Sequence, residues 1–238
     1  MKKLSLFFLS LIIISAVSNY SFAQTGTIVG TVKFVGENPN YPETVISKDT
    51  EICGAEAKPS SKLVLSADNG IKDTFVSVLG VTGEKSSVPT ENPVFAQAQC
   101  DFTDHVMVVP TGSTVDFPNK EDKVMHNLHS YSMKNRPFNK GVPFGSVISN
   151  TFSKPETIKV TCDVHKWMTA YLIVNDDPYY SVTDDNGNYK IENVPVGTYK
   201  LQVWQESLGR KKFDVTVTAD QETKLDIEMA PRKRRKKT

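Results

Sequence analysis

The sequence predicts an all-β fold, either a sandwich or a barrel. Short segments rich in β-branched and aromatic residues recur along its 238 residues, and a helical period of apolar residues is hard to find. Glycine and proline turns separate these segments, and the pair Asn186-Gly187 is a strong hairpin signal. Many short strands at this spacing are typical of a sandwich or a barrel.

Each predicted strand ends at a turn residue or a polar loop. The first, TIVGTVKFVG at 27–36, alternates in polarity and is closed by glycine. Before Asp176 the further predicted strands are 62–67, 74–81, the two halves of 105–119, 126–132, 156–162 and 169–175. After Asp176 the predicted strands fall within 181–204, 211–219 and 222–229. Irregular structure is predicted at 36–45, 82–93 and 133–146.

The N-terminal residues 1–23 have the pattern of a secretory signal peptide. Two lysines precede an apolar run over 4–17, and the small residues of SFA end at Ala23. The run is too short for a stable transmembrane span, and no cysteine follows Ala23 to carry a lipid anchor. We therefore expect an exported protein, either periplasmic or secreted.

Charge is unevenly distributed along the chain. The net charge is +1, yet the C-terminal segment PRKRRKKT at 231–238 alone carries six basic residues. Without these six and the two lysines of the signal peptide, the remaining chain has a net charge of −7. The tail is expected to be disordered and is suited to weak contact with an anionic membrane surface or an acidic partner. A solubilising tail is the alternative, and export argues against nucleic-acid binding.

The three cysteines suggest one disulfide and one cysteine with another role, because the count is odd and the compartment is oxidising. Cys162 lies in a stretch rich in metal ligands, whereas Cys53 and Cys100 do not. The simplest arrangement is a Cys53–Cys100 disulfide and a Cys162 thiolate. The alternative is that all three are free and buried.

The stretch VTCDVHKWM at 160–168 places three soft donors in a C-x2-H-x2-M pattern: Cys162, His165 and Met168. A thiolate, two imidazoles and a weak thioether are the ligands of an electron-transfer copper ion. A second histidine would complete that set, and it must come from elsewhere in the fold. The alternative is a buried thiol, a surface imidazole and a core methionine.

Three other histidines could supply the second imidazole: His105, His126 and His129. His126 and His129 are three residues apart in a predicted strand, so their side chains face opposite sides and at most one points at the site. His105 begins an apolar strand, where a structural histidine is more common than a ligand.

Two motifs resemble the cupredoxin family of blue copper proteins, and especially its amicyanin and plastocyanin members. In VDFPNKEDKVMHNLHSYS a strand of the type V-x-F-x-N is followed by His126-Asn127. In FSKPETIKVTCDVHKWMTAYLIV the short ligand loop lies between two strands. The resemblance covers about 74–175, with FVSVLG similar to the first strand of the family, and it implies a Greek-key β-sandwich.

Carried over by position, the resemblance implies one type 1 copper ion held by His126, Cys162, His165 and Met168. It also implies that Asn127 ties the two ligand segments together. His129 is then a strand residue that faces away from the metal. Trp167 is expected to pack over the ligand loop and to shield the metal.

The resemblance implies an electron carrier and not an enzyme, because four protein ligands leave no open coordination position. We expect His165 to reach the surface through an apolar patch of Pro143, Phe144 and Trp167, where a redox donor and acceptor dock transiently. The alternatives are a copper storage or delivery protein that uses the same ligands, and a metal-free surface binding sandwich.

A second resemblance is to carboxypeptidase regulatory-like β-sandwiches, which are similar to transthyretin (prealbumin). Their pattern T-D-x-x-G-x-[FY] followed by V-P-x-G-x-Y matches 183–189 and 194–199. Such modules open with G-x-I-x-G-x-V, which matches GTIVGTV at 26–32, far upstream. One explanation is that the copper domain is inserted into the regulatory-like sandwich.

The two resemblances divide the chain into five parts. These are the signal peptide 1–23, an N-terminal β segment 24–73, the copper domain 74–175, the regulatory-like sandwich 176–230 and the basic tail 231–238. Four strands after Asp176 are few for an independent core, which favours a sandwich that also includes strand 27–36.

Overall fold

The computed structural model describes residues 24–82 and 85–231. The predicted signal peptide and all but the first residue of the predicted tail lie outside the described residues. None of the helices in the described part of the chain is long and apolar enough to cross a membrane. The predicted all-β fold class, with sandwich architecture, is confirmed.

The described chain contains one four-residue helix among short strands. In order, the elements are β1 (Thr25–Phe34), α1 (Thr50–Cys53), β2 (Phe75–Leu79), β3 (Gln97–Ala98), β4 (Asp101–Phe102), β5 (Val106–Pro110), β6 (Thr114–Asn119), β7 (His126–Tyr131), β8 (Phe138–Val142), β9 (Ser146–Thr151), β10 (Glu156–Thr161), β11 (Thr169–Asn175), β12 (Tyr180–Val182), β13 (Asn188–Pro195), β14 (Gly197–Gln205), β15 (Gly209–Val217), β16 (Glu222–Lys224) and β17 (Ile227–Met229).

Strand pairing divides these elements into two sandwiches. In the first, which we call the terminal sandwich, β1 pairs with β13, β16 and β17, opposite a sheet in the order β12-β2-β14-β15. In the second, the central sandwich, a sheet in the order β5-β11-β10-β7-β8 lies opposite the pair β6-β9. Because β3 to β11 lie between β2 and β12 in the sequence, the central sandwich is inserted into the terminal one.

One strand belongs to a different sandwich from the one that the sequence suggested. The resemblance to the cupredoxins assigned 74–81 to the copper domain, but β2 pairs with β12 and β14 of the terminal sandwich. Val76 and Val78 lie in the core of that sandwich, whereas Phe75 packs against the central one. Because β2 is buried on both faces, its sequence lacks the alternation of polar and apolar residues that marks a half-exposed strand. Its sequence therefore does not indicate which sheet it joins.

The turn at Asn186-Gly187 is present but closes no hairpin, because β12 before it pairs with β2 and β13 after it pairs with β1. Gly187 has a φ of 78°, and a Cβ there would lie 2.6 Å from both the carbonyl oxygen of Val32 and the amide nitrogen of Ile71. The Val32 amide donates to the carbonyl of Gly187. Only glycine combines this backbone conformation with so close an approach, so the turn is tied to β1.

The two sandwiches pack through a small apolar interface. Its buried side chains come from β2, β5, β11 and β14: Phe75, Val106, Ile173 and Trp204. The rings of Tyr171 and Trp204 meet edge to face at 5.0 Å between centroids. At the edge of the interface, His105 Nε2 lies 2.5 Å from Glu206 Oε1.

This His105–Glu206 pair is expected to make stability depend on pH. Burial alone would lower the pKa of His105, but the hydrogen bond and charge of Glu206, with Asp73 and Asp101, raise the pKa above its usual 6.5. A raised folded pKa stabilises the protein fully below pH 6.5. That stabilisation amounts to about 1.4 kcal/mol for each tenfold gain in the proton affinity of the imidazole, and it is lost as pH rises through the folded pKa.

The measurement is the free energy of unfolding in urea between pH 5.5 and pH 8.5, values that bracket the ordinary histidine pKa of about 6.5. The Glu206→Gln variant should lose stability mainly at the acidic end, so its pH profile should be flatter. His105→Gln should flatten the profile in the same way. Parallel profiles for the wild type and both variants would contradict the assignment.

Candidate metal centre

Three of the predicted ligands meet at one end of the central sandwich. His126 begins β7, Cys162 directly follows β10, and His165 lies in the loop to β11. Since β10 pairs with both β7 and β11, the two ligand segments are neighbours. His126 Nδ1 and His165 Nδ1 are 2.9 Å apart, and Cys162 Sγ lies 3.9 Å from each of them.

These three donor atoms fit a single metal ion. Atoms bound to one ion at about 2.0–2.3 Å lie roughly 3–4 Å from each other. The relative exposures of His126, Cys162 and His165 are 0%, 1% and 0%, so little water competes for the position between them. One thiolate and two imidazoles are a set that suits copper.

Met168 closes the ligand loop. Its amide donates to the carbonyl of His165, and its carbonyl accepts from the amide of Cys162. The side chain is fully buried in the core of the central sandwich. Its role as the fourth ligand stays a prediction.

Asn127 joins the two ligand segments, as the resemblance implied. Its Oδ1 accepts hydrogen bonds from the amides of Asp163 at 2.6 Å and Val164 at 3.2 Å. The backbone N–H of Asn127 donates to Cys162 Sγ at 3.5 Å, and the backbone N–H of His165 donates to the same sulfur at 3.3 Å. Two backbone N–H groups are thus aimed at the sulfur that faces the two imidazoles.

Each of the two histidines has a carboxylate on the side away from the cluster. His126 Nε2 lies 2.9 Å from Asp122 Oδ2, and His165 Nε2 lies 2.9 Å from Asp49 Oδ2. An Nε2–H that donates to a carboxylate leaves the lone pair on Nδ1, the atom that faces the cluster. Burial, together with the nearby His165, lowers the pKa of His126 despite Asp122, which favours the neutral imidazole that metals bind.

Neither carboxylate was identified from the sequence. Asp122 is four residues before His126, but the segment between them is a loop, where that spacing carries no signal. Asp49 is 116 residues from His165, so only the folded chain shows the contact.

The prediction that His165 reaches the surface is wrong. Its imidazole is completely buried, and Asp49 occupies its Nε2 side. Trp167 contacts the imidazole at 5.0 Å between ring centroids and donates its Nε1–H to the carbonyl of Cys100. The sequence suggested only a loop at 36–45 and gave no sign that the chain after it would cover the ligand loop.

That covering chain is residues 44–58, which we call the cover segment. Thr44 and Lys58 exchange two backbone hydrogen bonds at its ends, at 2.7 and 3.0 Å. Cys53 forms a disulfide with Cys100 in the β3–β4 turn, which is the pairing suggested by the cysteine count. Of the described cysteines, Cys162 is free and buried. The disulfide therefore attaches the cover segment to the central sandwich.

The other two histidines lie outside the donor cluster. His105 pairs with Glu206 at the interface between the sandwiches. His129 Nδ1 lies 3.1 Å from Asp163 Oδ1, and its partly exposed ring stacks on Tyr131 at 4.2 Å between centroids.

Comparison with known proteins gives one family match and several similar structures. The family model for the carboxypeptidase regulatory-like domain matches residues 170–230, which run from β11 to the end of the terminal sandwich. None of the curated proteins is similar enough in sequence to count as a relative.

Several solved structures similar to part of this chain have titles that name a cupredoxin, amicyanin or a copper-containing nitrite reductase. A purple cupredoxin from Nitrosopumilus maritimus is 19% identical, with a TM-score of 0.32, over 35% of this chain and 100% of its own. A reduced Cu(I) amicyanin variant is 19% identical, with a TM-score of 0.34, over 42% of this chain and 98% of its own. A copper-containing nitrite reductase from Thermus scotoductus is 19% identical, with a TM-score of 0.35, over 41% of this chain but only 25% of its own.

Proposed function

We propose that the chain is an exported type 1 copper protein that carries single electrons between redox partners. The observation that supports this most directly is the convergence of His126 Nδ1, His165 Nδ1 and Cys162 Sγ in one buried cluster. The three atoms lie within 4.8 Å of one another. A thiolate with two imidazoles is a copper set typical of electron transfer.

The chain's own residues would hold the ion with little rearrangement. His126, Cys162 and His165 would be its ligands, with Met168 as the fourth. Bound copper would supply one-electron chemistry by alternating between Cu(I) and Cu(II). Asn127 fixes the separation of the ligand segments, and the two carboxylates fix the orientation of the imidazoles. A full set of protein ligands leaves no position for substrate, so the proposed role is not that of an enzyme.

Copper storage or delivery is a second candidate, and the burial of His165 favours it. An imidazole edge at the surface is a short path for an electron to a docked partner, and this site has none. A closed site also retains its ion. A reversible redox couple with fast electron self-exchange supports the carrier, whereas slow exchange with tight Cu(I) binding supports storage.

The test is a titration of the purified protein with Cu(II), followed by visible absorption. We expect an intense thiolate-to-copper charge-transfer band that saturates at one ion per chain. His129→Ala should leave the band unchanged, since His129 is bonded to Asp163 outside the cluster. A colourless protein would overturn the proposal.

A further inference from the structure

We propose that Asp49 is a positioning residue for the copper centre, and that the cover segment exists to place its carboxylate against His165. This inference rests on the proposed function for its copper-dependent part. The contact itself is between Asp49 Oδ2 and His165 Nε2, at 2.9 Å. The His165 side chain is 0% exposed and the Asp49 side chain is 28% exposed, so Asp49 lies between the ligand and solvent.

The local structure of Asp49 indicates that this contact displaces its ordinary role. Asp49 occupies the N-cap position of α1, where an aspartate side chain usually accepts a hydrogen bond from the first turn. Its side chain makes no such bond. The backbone instead has a φ of 49° and a ψ of 41°, a left-handed conformation in place of the extended one usual at an N-cap. The carboxylate is thereby directed to His165.

The cover segment is fixed by contacts that do not involve His165. Cys53 forms the disulfide with Cys100, and Lys58 Nζ donates to the carbonyl of Gln99 at 2.9 Å. Both contacts attach it to the β3–β4 turn. Asp122 on the other imidazole also accepts from the Cys100 amide, at 2.9 Å. The same turn therefore supports the carboxylates of both histidines.

Two effects on the bound metal follow from this arrangement. A carboxylate that accepts the Nε2–H makes Nδ1 a better donor and holds the ring in one orientation. Its negative charge also favours the more positive, oxidised ion in a buried site. Loss of the Asp49 carboxylate should therefore weaken metal binding and shift the midpoint potential to more positive values.

The decisive variant is Asp49→Gly, because glycine removes the carboxylate and also accepts the left-handed backbone without strain. We expect copper affinity to fall about 10–100-fold, as for other groups that orient metal ligands. The urea midpoint of the metal-free variant should fall modestly, because the buried Nε2–H of His165 loses its acceptor while the left-handed backbone is kept without strain. A residue that served only the fold would lower the urea midpoint and leave the copper affinity unchanged.

Matched variants separate the carboxylate from general charge. Asp49→Asn keeps an acceptor oxygen but removes the charge, so it should shift the potential positively with a smaller loss of affinity. Glu51→Gln removes the same charge from an exposed side chain of α1 and should leave both quantities unchanged. Equal shifts for Asp49→Asn and Glu51→Gln would overturn the proposal.

A metal-free measurement tests the contact apart from the proposed function. In the NMR spectrum of the apoprotein, the Nε2–H of His165 should be visible in slow exchange with water, and it should be lost in Asp49→Gly. If this holds but copper does not bind, the proposed function fails and the positioning contact stands. If copper binds and Asp49→Gly has the wild-type affinity and potential, the inference fails alone. An absent Nε2–H signal in the wild type would also overturn it.

Discussion

Replacement of Cys162 by serine should abolish the copper chromophore entirely. The colour of a type 1 site comes from charge transfer between a thiolate and copper, and Cys162 is the free cysteine of the described chain. Serine stays protonated at neutral pH and is a poor ligand for a soft metal. The two N–H donors aimed at the sulfur, from Asn127 and His165, would face a neutral oxygen.

Visible absorption and electron paramagnetic resonance after Cu(II) addition give the readout, with His129→Ala as the control that keeps the site. The Cys162→Ser apoprotein should still fold, with a loss of about 1–2 kcal/mol, because one buried side chain exchanges a thiol for a hydroxyl. Persistence of the intense band in Cys162→Ser would rule out Cys162 as the ligand. Bleaching by His129→Ala would mean that the choice of histidine is wrong.

The donor cluster of His126, Cys162 and His165 could be predicted from the sequence because its signals are local. The C-x2-H-x2-M spacing places Cys162, His165 and Met168 in one loop, and the strand before His126-Asn127 has a recognisable pattern. Strand alternation separated His126 from His129, and the structure places them on different sides of β7. Motif spacing and strand alternation were sufficient here because both relate residues that are close in the sequence.

The carboxylates and the cover segment could not be found because their contacts are long-range. Asp49 has no pattern that links it to a residue 116 positions away. Burial of His165 depends on where the loop between β1 and β2 folds back, which a disulfide and a pair of backbone hydrogen bonds decide. The sequence therefore predicted the residues of the donor cluster but gave the wrong answer for the exposure of His165.

The positions of strands could be predicted from the sequence where one face of the strand is buried and the other is more exposed. The alternating segment at 27–36 became β1, which joins the C-terminal strands as its motif suggested. The polar edge segment FNKGV forms β8 although it has a single buried residue, so no apolar pattern marked it. The predicted strand at 62–67 is reduced to one β-bridge between Leu65 and Ile71.

Loss of the Cys53–Cys100 disulfide is expected to have the largest effect on stability. The bridge spans 47 positions of the sequence, and loop-closure entropy for that length is worth about 4 kcal/mol at most. Natural disulfides typically contribute about 2–4 kcal/mol. The Cys53→Ala/Cys100→Ala double variant should therefore lose about 2–4 kcal/mol of unfolding free energy in urea.

The loss should be local before it is global, because the bridge attaches the cover segment to the central sandwich. Hydrogen exchange of the backbone amides should accelerate in 44–58. The slowly exchanging amides of β14 and β15 should keep their relative protection, because these two strands pair along their whole length. Reduction of the wild type by an excess of dithiol should reproduce this exchange pattern.

Once the cover segment opens, His165 loses its contact with Asp49. Copper affinity should therefore fall in the double variant, as we expect for Asp49→Gly. Unchanged exchange in 44–58 would show that the cover segment is held by its backbone and side-chain contacts alone.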